Sequence, residues 1–115
     1  MLILVNNLEM FDQVLLQSVE GSLVKILGEK GGETLLQQLE KRYFLKKDDI
    51  ASRLEEFARA LETMLGREGA SIVENFIMRE FYLRLGLTYE YKGNPPSLAE
   101  YVREARNRLN VSHSR

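Results

Sequence analysis

The chain has no cysteine and no tryptophan among its 115 residues. Without cysteine there is no disulfide framework, no thiolate nucleophile and no sulfur ligand for a metal. There is one histidine, His113, near the C-terminus, and no second one with which to build a metal site. Only two prolines occur, side by side at Pro95-Pro96, so the residue that breaks helices is confined to one place. No sign of charge dominates: 16 basic and 17 acidic side chains leave a formal charge of -1. That balance argues against broad contact with a nucleic-acid backbone, which draws on a basic excess. No apolar run approaches the roughly 20 residues that span a bilayer. The start, Met1 to Val5, is apolar but short and lacks a basic lead-in, so it does not read as a signal peptide. These absences point to a cytoplasmic, non-membrane, single-domain protein with no cofactor.

What is present is a repeat. Shifting the sequence by 38 positions lays Leu16, Val19, Leu23, Ile26, Leu27, Gly28 and Gly31 on Leu54, Phe57, Leu61, Met64, Leu65, Gly66 and Gly69. Further on, Leu35, Leu39, Tyr43, Phe44 and Leu45 fall on Val73, Ile77, Phe81, Tyr82 and Leu83. Each unit, about 16–45 and 54–83, reads as a helix, a Leu-Gly stop, a Gly-containing turn and a second helix. The expected fold is all-α: about five helices, with two pseudo-repeated hairpins, a C-terminal helix and a frayed tail over 111–115.

Periodicity places the elements. Helix one is expected from Leu8, after Asn6-Asn7, to Leu27, with Gly21 marking a kink or a close crossing. Helix two is expected from Gly32 to Phe44. Asp48 or Asp49 should cap helix three, about Ile50 to Leu65. Helix four, about Gly69 to Leu85, is apolar in almost every direction, as a central or partner-facing helix would be. Glu80 and Arg84 on it should pair with each other or a neighbour. After Gly93-Asn94-Pro95-Pro96, Ser97 and Glu100 form a capping box for helix five. Leu2 to Val5 and Thr88 to Tyr91 are strand-like, and are expected to pair as a small ribbon.

Catalytic chemistry is thin. Glu55-Glu56 and Asp48-Asp49 are neighbours in sequence and do not converge on a substrate. The turns at Gly28 and Gly66 lack the Lys-Ser/Thr of a Walker loop and the preceding strand of a dinucleotide fingerprint. No catalytic, cofactor or metal residue is expected, and the chain does not read as an enzyme. Interaction is the main expectation. Two adjacent aromatics on a helix should not both point inward, so one of Tyr43/Phe44 and one of Phe81/Tyr82 is left for a partner. Phe44, Met78, Tyr82 and Leu85 are the candidate protein interface, with a homodimer as one outcome. The alternative is nucleic-acid binding through Lys41, Arg42, Lys46 and Lys47 together with Arg103 and Arg106 of helix five.

Several segments resemble one family. Gln38-Leu-Glu-Lys-Arg-Tyr43, Asp48-Asp49-Ile50, Glu56-Phe57-Ala58-Arg59-Ala60-Leu61, Met64-Leu65-Gly66 and Arg84-Leu-Gly-Leu87 are similar to the Nitrososphaera output domain family, a small archaeal helical family. The resemblance covers roughly residues 14–105. This chain has Ala51-Ser52 where the family often has proline after the Asp-Ile pair. The resemblance implies a regulatory or signalling output role, in which the domain stands alone or is attached to sensor and receiver modules, and it transfers no catalytic residue.

Overall fold

The computed structural model describes the backbone of residues 2–90 and 97–113, and the side chains of 10–90 and 97–109. Among these residues the chain is all-α, in the order α1 (Leu2–Tyr43), a 3-10 helix (Lys47–Ser52), α2 (Leu54–Leu85) and α3 (Leu98–His113). Helices one and two of the sequence reading are the two arms of α1, and helices three and four are the arms of α2. No helix among the described residues is long and apolar enough to cross a membrane.

A straight helix of α1's 42 residues would be about 63 Å long. The longest dimension of the molecule is 42 Å, so α1 has to bend, and it does so at Gly28. There φ is 82° and ψ 167°, a region that is essentially closed to any residue with a Cβ. α2 bends at Gly66 with φ 81° and ψ 166°. The two bends therefore agree to within a degree in both angles, as the 38-residue offset requires of this pair. Beyond each bend a second glycine meets the leucine before the stop. A Cβ on Gly31 would lie 2.9 Å from that of Leu27, and one on Gly69 would lie 3.1 Å from that of Leu65. The Leu-Gly-x-x-Gly string is thus a turn whose glycines are demanded by backbone and packing.

The core faces follow the helical period. Phe11, Leu15, Val19 and Leu23 on α1, Leu35 and Leu39 beyond its bend, and Leu54, Phe57, Leu61, Val73, Ile77 and Phe81 on α2 are all buried. The first arm of α1 packs on the second arm of α2: the rings of Phe11 and Phe81 meet edge to face at 5.3 Å. Polar contacts rim the same seam. Glu80 accepts from Lys25 at 3.1 Å and lies 3.9 Å from Arg84, as its position on a half-buried face requires. Gly21 marks no kink, and a Cβ there would meet only the end of the Arg84 side chain, at 3.6 Å. The offset pairs Ser22 with Ala60, both buried, and the Ser22 hydroxyl has no hydrogen-bond partner among the described residues.

α3 closes the bundle through Leu98, Tyr101, Val102 and Ala105. Its capping box is formed as expected: Ser97 N–H donates to Glu100 Oε1 at 3.0 Å, and Glu100 N–H donates to Ser97 Oγ at 3.3 Å. α3 continues as helix through His113, into the tail expected to fray.

Several expectations are corrected. Leu2 to Val5 are helical, not strand. A four-residue apolar run does not by itself choose between the two periods, and here its backbone opens α1. The ribbon is therefore absent: Thr88 to Glu90 are not strand, and Tyr91 lies outside the described residues. Instead residues 87–90 form a strap. Leu87 N–H donates to Tyr82 O at 2.9 Å, Arg108 donates to Thr88 O at 2.9 Å, and Tyr89 Oη donates to Asn75 Oδ1 at 3.3 Å. α2 begins at Leu54, not Ile50, because Lys47–Ser52 winds as a 3-10 helix that sinks Ile50 into the core. Neither Asp48 nor Asp49 caps α2; Arg53 holds that position, with no side-chain cap.

Candidate functional site

Two surfaces stand out once the core is assigned. The first is the outward side of α2. At about 100° per residue, Ile72, Phe76, Arg79 and Leu83 share one stripe. It lies opposite the arc made by the buried Val73, Ile77, Met78, Phe81 and Tyr82. Ile72 is 58% exposed and Leu83 72%. Phe76, Arg79, Glu80 and Leu83 form the floor of a shallow groove of 390 Å³ walled by Leu87 and Tyr89 of the strap.

This stripe corrects the expected interface. Met78 and Tyr82 are enclosed by the chain's own residues, at 1% and 2% exposure. Tyr82 Oη donates to Tyr101 O at 2.7 Å, and its ring meets those of Phe81, Tyr89 and Tyr101. Burial, with the Glu104 carboxylate second, pushes the Tyr82 phenol up to about 12. Adjacent aromatics can both be buried here because α3 and the strap widen the covered arc of α2. Leu85 is half-buried. Ile72, Phe76 and Leu83 were visible in the sequence as part of an all-round apolar helix. Which side stayed open was not, because that depends on where α3 and the strap lie.

The second surface is the corner after α1. Phe44 ends the helix with φ 53° and is 79% exposed, whereas Tyr43 beside it is half-buried. Leu45 then turns into the core, its N–H donating to Leu39 O at 3.1 Å. The Arg53 guanidinium donates to Phe44 O at 2.9 Å and also pairs with Glu56. That hydrogen bond holds the Glu56 carboxyl below its ordinary range. Lys41, Arg42 and Lys46 are exposed around Phe44.

The structure does not bring all the expected basic residues to this corner. Lys47 is paired with Glu20 at 2.9 Å, which raises its ammonium pKa. Arg106 lies 4.2 Å over the Phe11 ring and 3.7 Å from Asp12. Arg103 is exposed on α3. Arg59, not singled out in the sequence, joins Tyr43, Leu45, Arg53, Glu56, Ala60 and Thr63 along a shallow groove of 330 Å³ below the corner. It would have been hard to find, because it sits in an ordinary helix as one more charged residue on a polar face.

A third cluster gathers Arg59, Glu62, Arg67 and Glu74 around the second bend. Partial burial, then the nearby Glu62 charge, raise the Glu74 pKa above the ordinary 4.5. The folded chain therefore holds this proton more tightly than the unfolded chain does. Ionising it costs stability above the folded pKa and nothing below the unfolded one. Glu74→Gln should accordingly melt higher than the parent at pH 7. The gap should close as pH falls from the raised folded pKa toward 4.5, and thermal melts across that range read it.

Among the described residues, no group of three His, Cys, Asp or Glu side chains could hold a metal ion. In comparisons with protein-family models, with curated proteins and with solved structures, none matches this chain.

Proposed function

We propose that the chain is a non-catalytic regulatory or signalling output module that acts by docking a protein partner along the outward face of α2. One observation supports this most: Ile72, Phe76 and Leu83 line up with Arg79 along a helix on the side away from the core, beside an open groove. Scattered exposed leucines are ordinary, but an aligned set on one helix face is the pattern that partner helices read. The resemblance to the Nitrososphaera output domain family supports the signalling half of the proposal.

The test is an Ile72→Glu/Leu83→Glu variant. Both side chains are solvent-facing, so its thermal melt should match the parent's. Proteins captured from the native host by the parent should be lost by the variant. The same set retained by both would count against this surface. Light scattering at micromolar concentration reads whether the partner is a second copy. A homodimer through this face gives a dimeric parent and a monomeric variant.

A further inference from the structure

Phe44 breaks a rule that the rest of the chain keeps. Among the described residues it is the one non-glycine with positive φ, and the most exposed of the large apolar side chains. In the left-handed region the Cβ crowds the backbone carbonyl, which is why glycine is preferred there. The end of α2 shows the unstrained solution: Gly86 takes φ 75° and ψ 23°, and Leu87 folds back onto Tyr82 O. At the end of α1 the chain also folds back, with Leu45 N–H donating to Leu39 O, one residue further back than in the turn after α2. Glycine would serve at position 44, and the phenyl ring adds nothing to the core. Strain retained for a side chain that faces water points to a role outside the fold.

The surroundings give that role a chemistry. Lys41 and Arg42 precede the ring, Lys46 follows it, and Arg59 borders the groove beneath. All four are exposed; Lys41, Arg42 and Lys46 form no ion pair among the described residues, while Arg59 shares its groove with Glu56 and helps to lower the pKa of that carboxyl. Arg53 ties the Phe44 carbonyl to the start of α2, so the platform is fixed relative to Arg59. A flat apolar ring with exposed cations on either side of it in the chain matches an unstacked base with flanking phosphates. A duplex offers no unstacked base, and a chain of net charge -1 is poorly suited to a long stretch of duplex backbone.

We infer that the corner at Phe44 is a binding site for short single-stranded nucleic acid, with Phe44 as the base-stacking platform and Lys41, Arg42, Lys46 and Arg59 as phosphate contacts. The site is separate from the α2 face, and it differs from the basic set read in the sequence by replacing Lys47, Arg103 and Arg106 with Phe44 and Arg59.

Fluorescence anisotropy of labelled oligo-dT and oligo-U of about a dozen nucleotides, at about 50 and 200 mM salt, tests the site. The parent should bind both, more weakly at the higher salt, with matched duplex bound less well. Phe44→Gly should bind about tenfold or more weakly, the size of one lost stack, yet melt no lower than the parent. Lys41→Glu/Arg42→Glu should also lose binding. Phe44→Trp should keep it, and its indole, the only one in the chain, should be quenched by the bound base. The inference is overturned by any of four results: no binding at the lower salt, duplex bound as tightly as single strand, Phe44→Gly binding like the parent, or Phe44→Gly melting well below it. Binding to phosphatidylserine vesicles without binding to oligonucleotides would also overturn it, assigning the corner to a membrane surface.

Discussion

Tyr82→Glu should leave the chain unfolded, while Tyr82→Phe should fold with a loss of about 0.5–1.5 kcal/mol. The ring is 2% exposed and in edge contact with three other aromatics. Truncating a buried aromatic typically costs about 3–5 kcal/mol. An unpaired carboxylate in its place adds several kcal/mol more. Arg108, 5.8 Å over the ring, offers little relief, because Glu104 and the Thr88 carbonyl already hold it. The sum rivals the roughly 5–15 kcal/mol that holds a domain together. Tyr82→Phe removes only the 2.7 Å bond to the Tyr101 carbonyl, an acceptor inside α3 that keeps its helical N–H partner. Circular dichroism and urea melts separate the two outcomes. A folded Tyr82→Glu chain would mean that α3 and the strap do not cover α2. Loss of a partner in that variant would report unfolding, so the interface has to be tested at Ile72 and Leu83.

Gly28→Ala and Gly66→Ala should each cost about 1–3 kcal/mol, although neither new methyl meets any atom within 4 Å. The cost is wholly in the backbone: φ near 82° and 81° with extended ψ crowds a Cβ against its own peptide units. Because the two bends are equivalent, the two losses should be of similar size. Gly21→Ala is the control. It is an interior helical position with ordinary clearance to Arg84, so alanine there should be neutral or stabilising by up to about 1 kcal/mol. Equal stability of all three variants in urea would sink the backbone account.

The repeat carried most of what could be read about the fold, because burial and bending are local consequences of periodic side chains and glycine. Val19/Phe57, Leu23/Leu61, Leu35/Val73 and Leu39/Ile77 are buried as offset pairs. The correspondence then fails. Phe44 is exposed where Tyr82 is buried, and Leu45 is buried where Leu83 is 72% exposed. The cause is helix length: α1 stops at Tyr43, while α2 continues to Leu85. The same side-chain pattern therefore meets a reversing chain in one unit and a continuing helix in the other. The start of α2 was missed for a related reason. Asp48-Asp49 reads as a cap, but Ile50 had to reach the core, and a 3-10 turn delivers it there.

The sequence by itself determined the helical class, the two glycine bends, the buried offset pairs of the two units and the Ser97/Glu100 cap. Each depends on residues within a few positions of one another, through helical period, backbone permission or a local hydrogen bond. Tertiary structure decided which sides of α2 stay open, and so moved the candidate interface from Met78 and Tyr82 to Ile72, Phe76 and Leu83. It also took Lys47 and Arg106 away as partners of Glu20 and Phe11, and left Phe44 standing among Lys41, Arg42, Lys46 and Arg59. Those outcomes turn on contacts between residues tens of positions apart, where exposure is set by what lies across the gap and not by the side chain's own pattern.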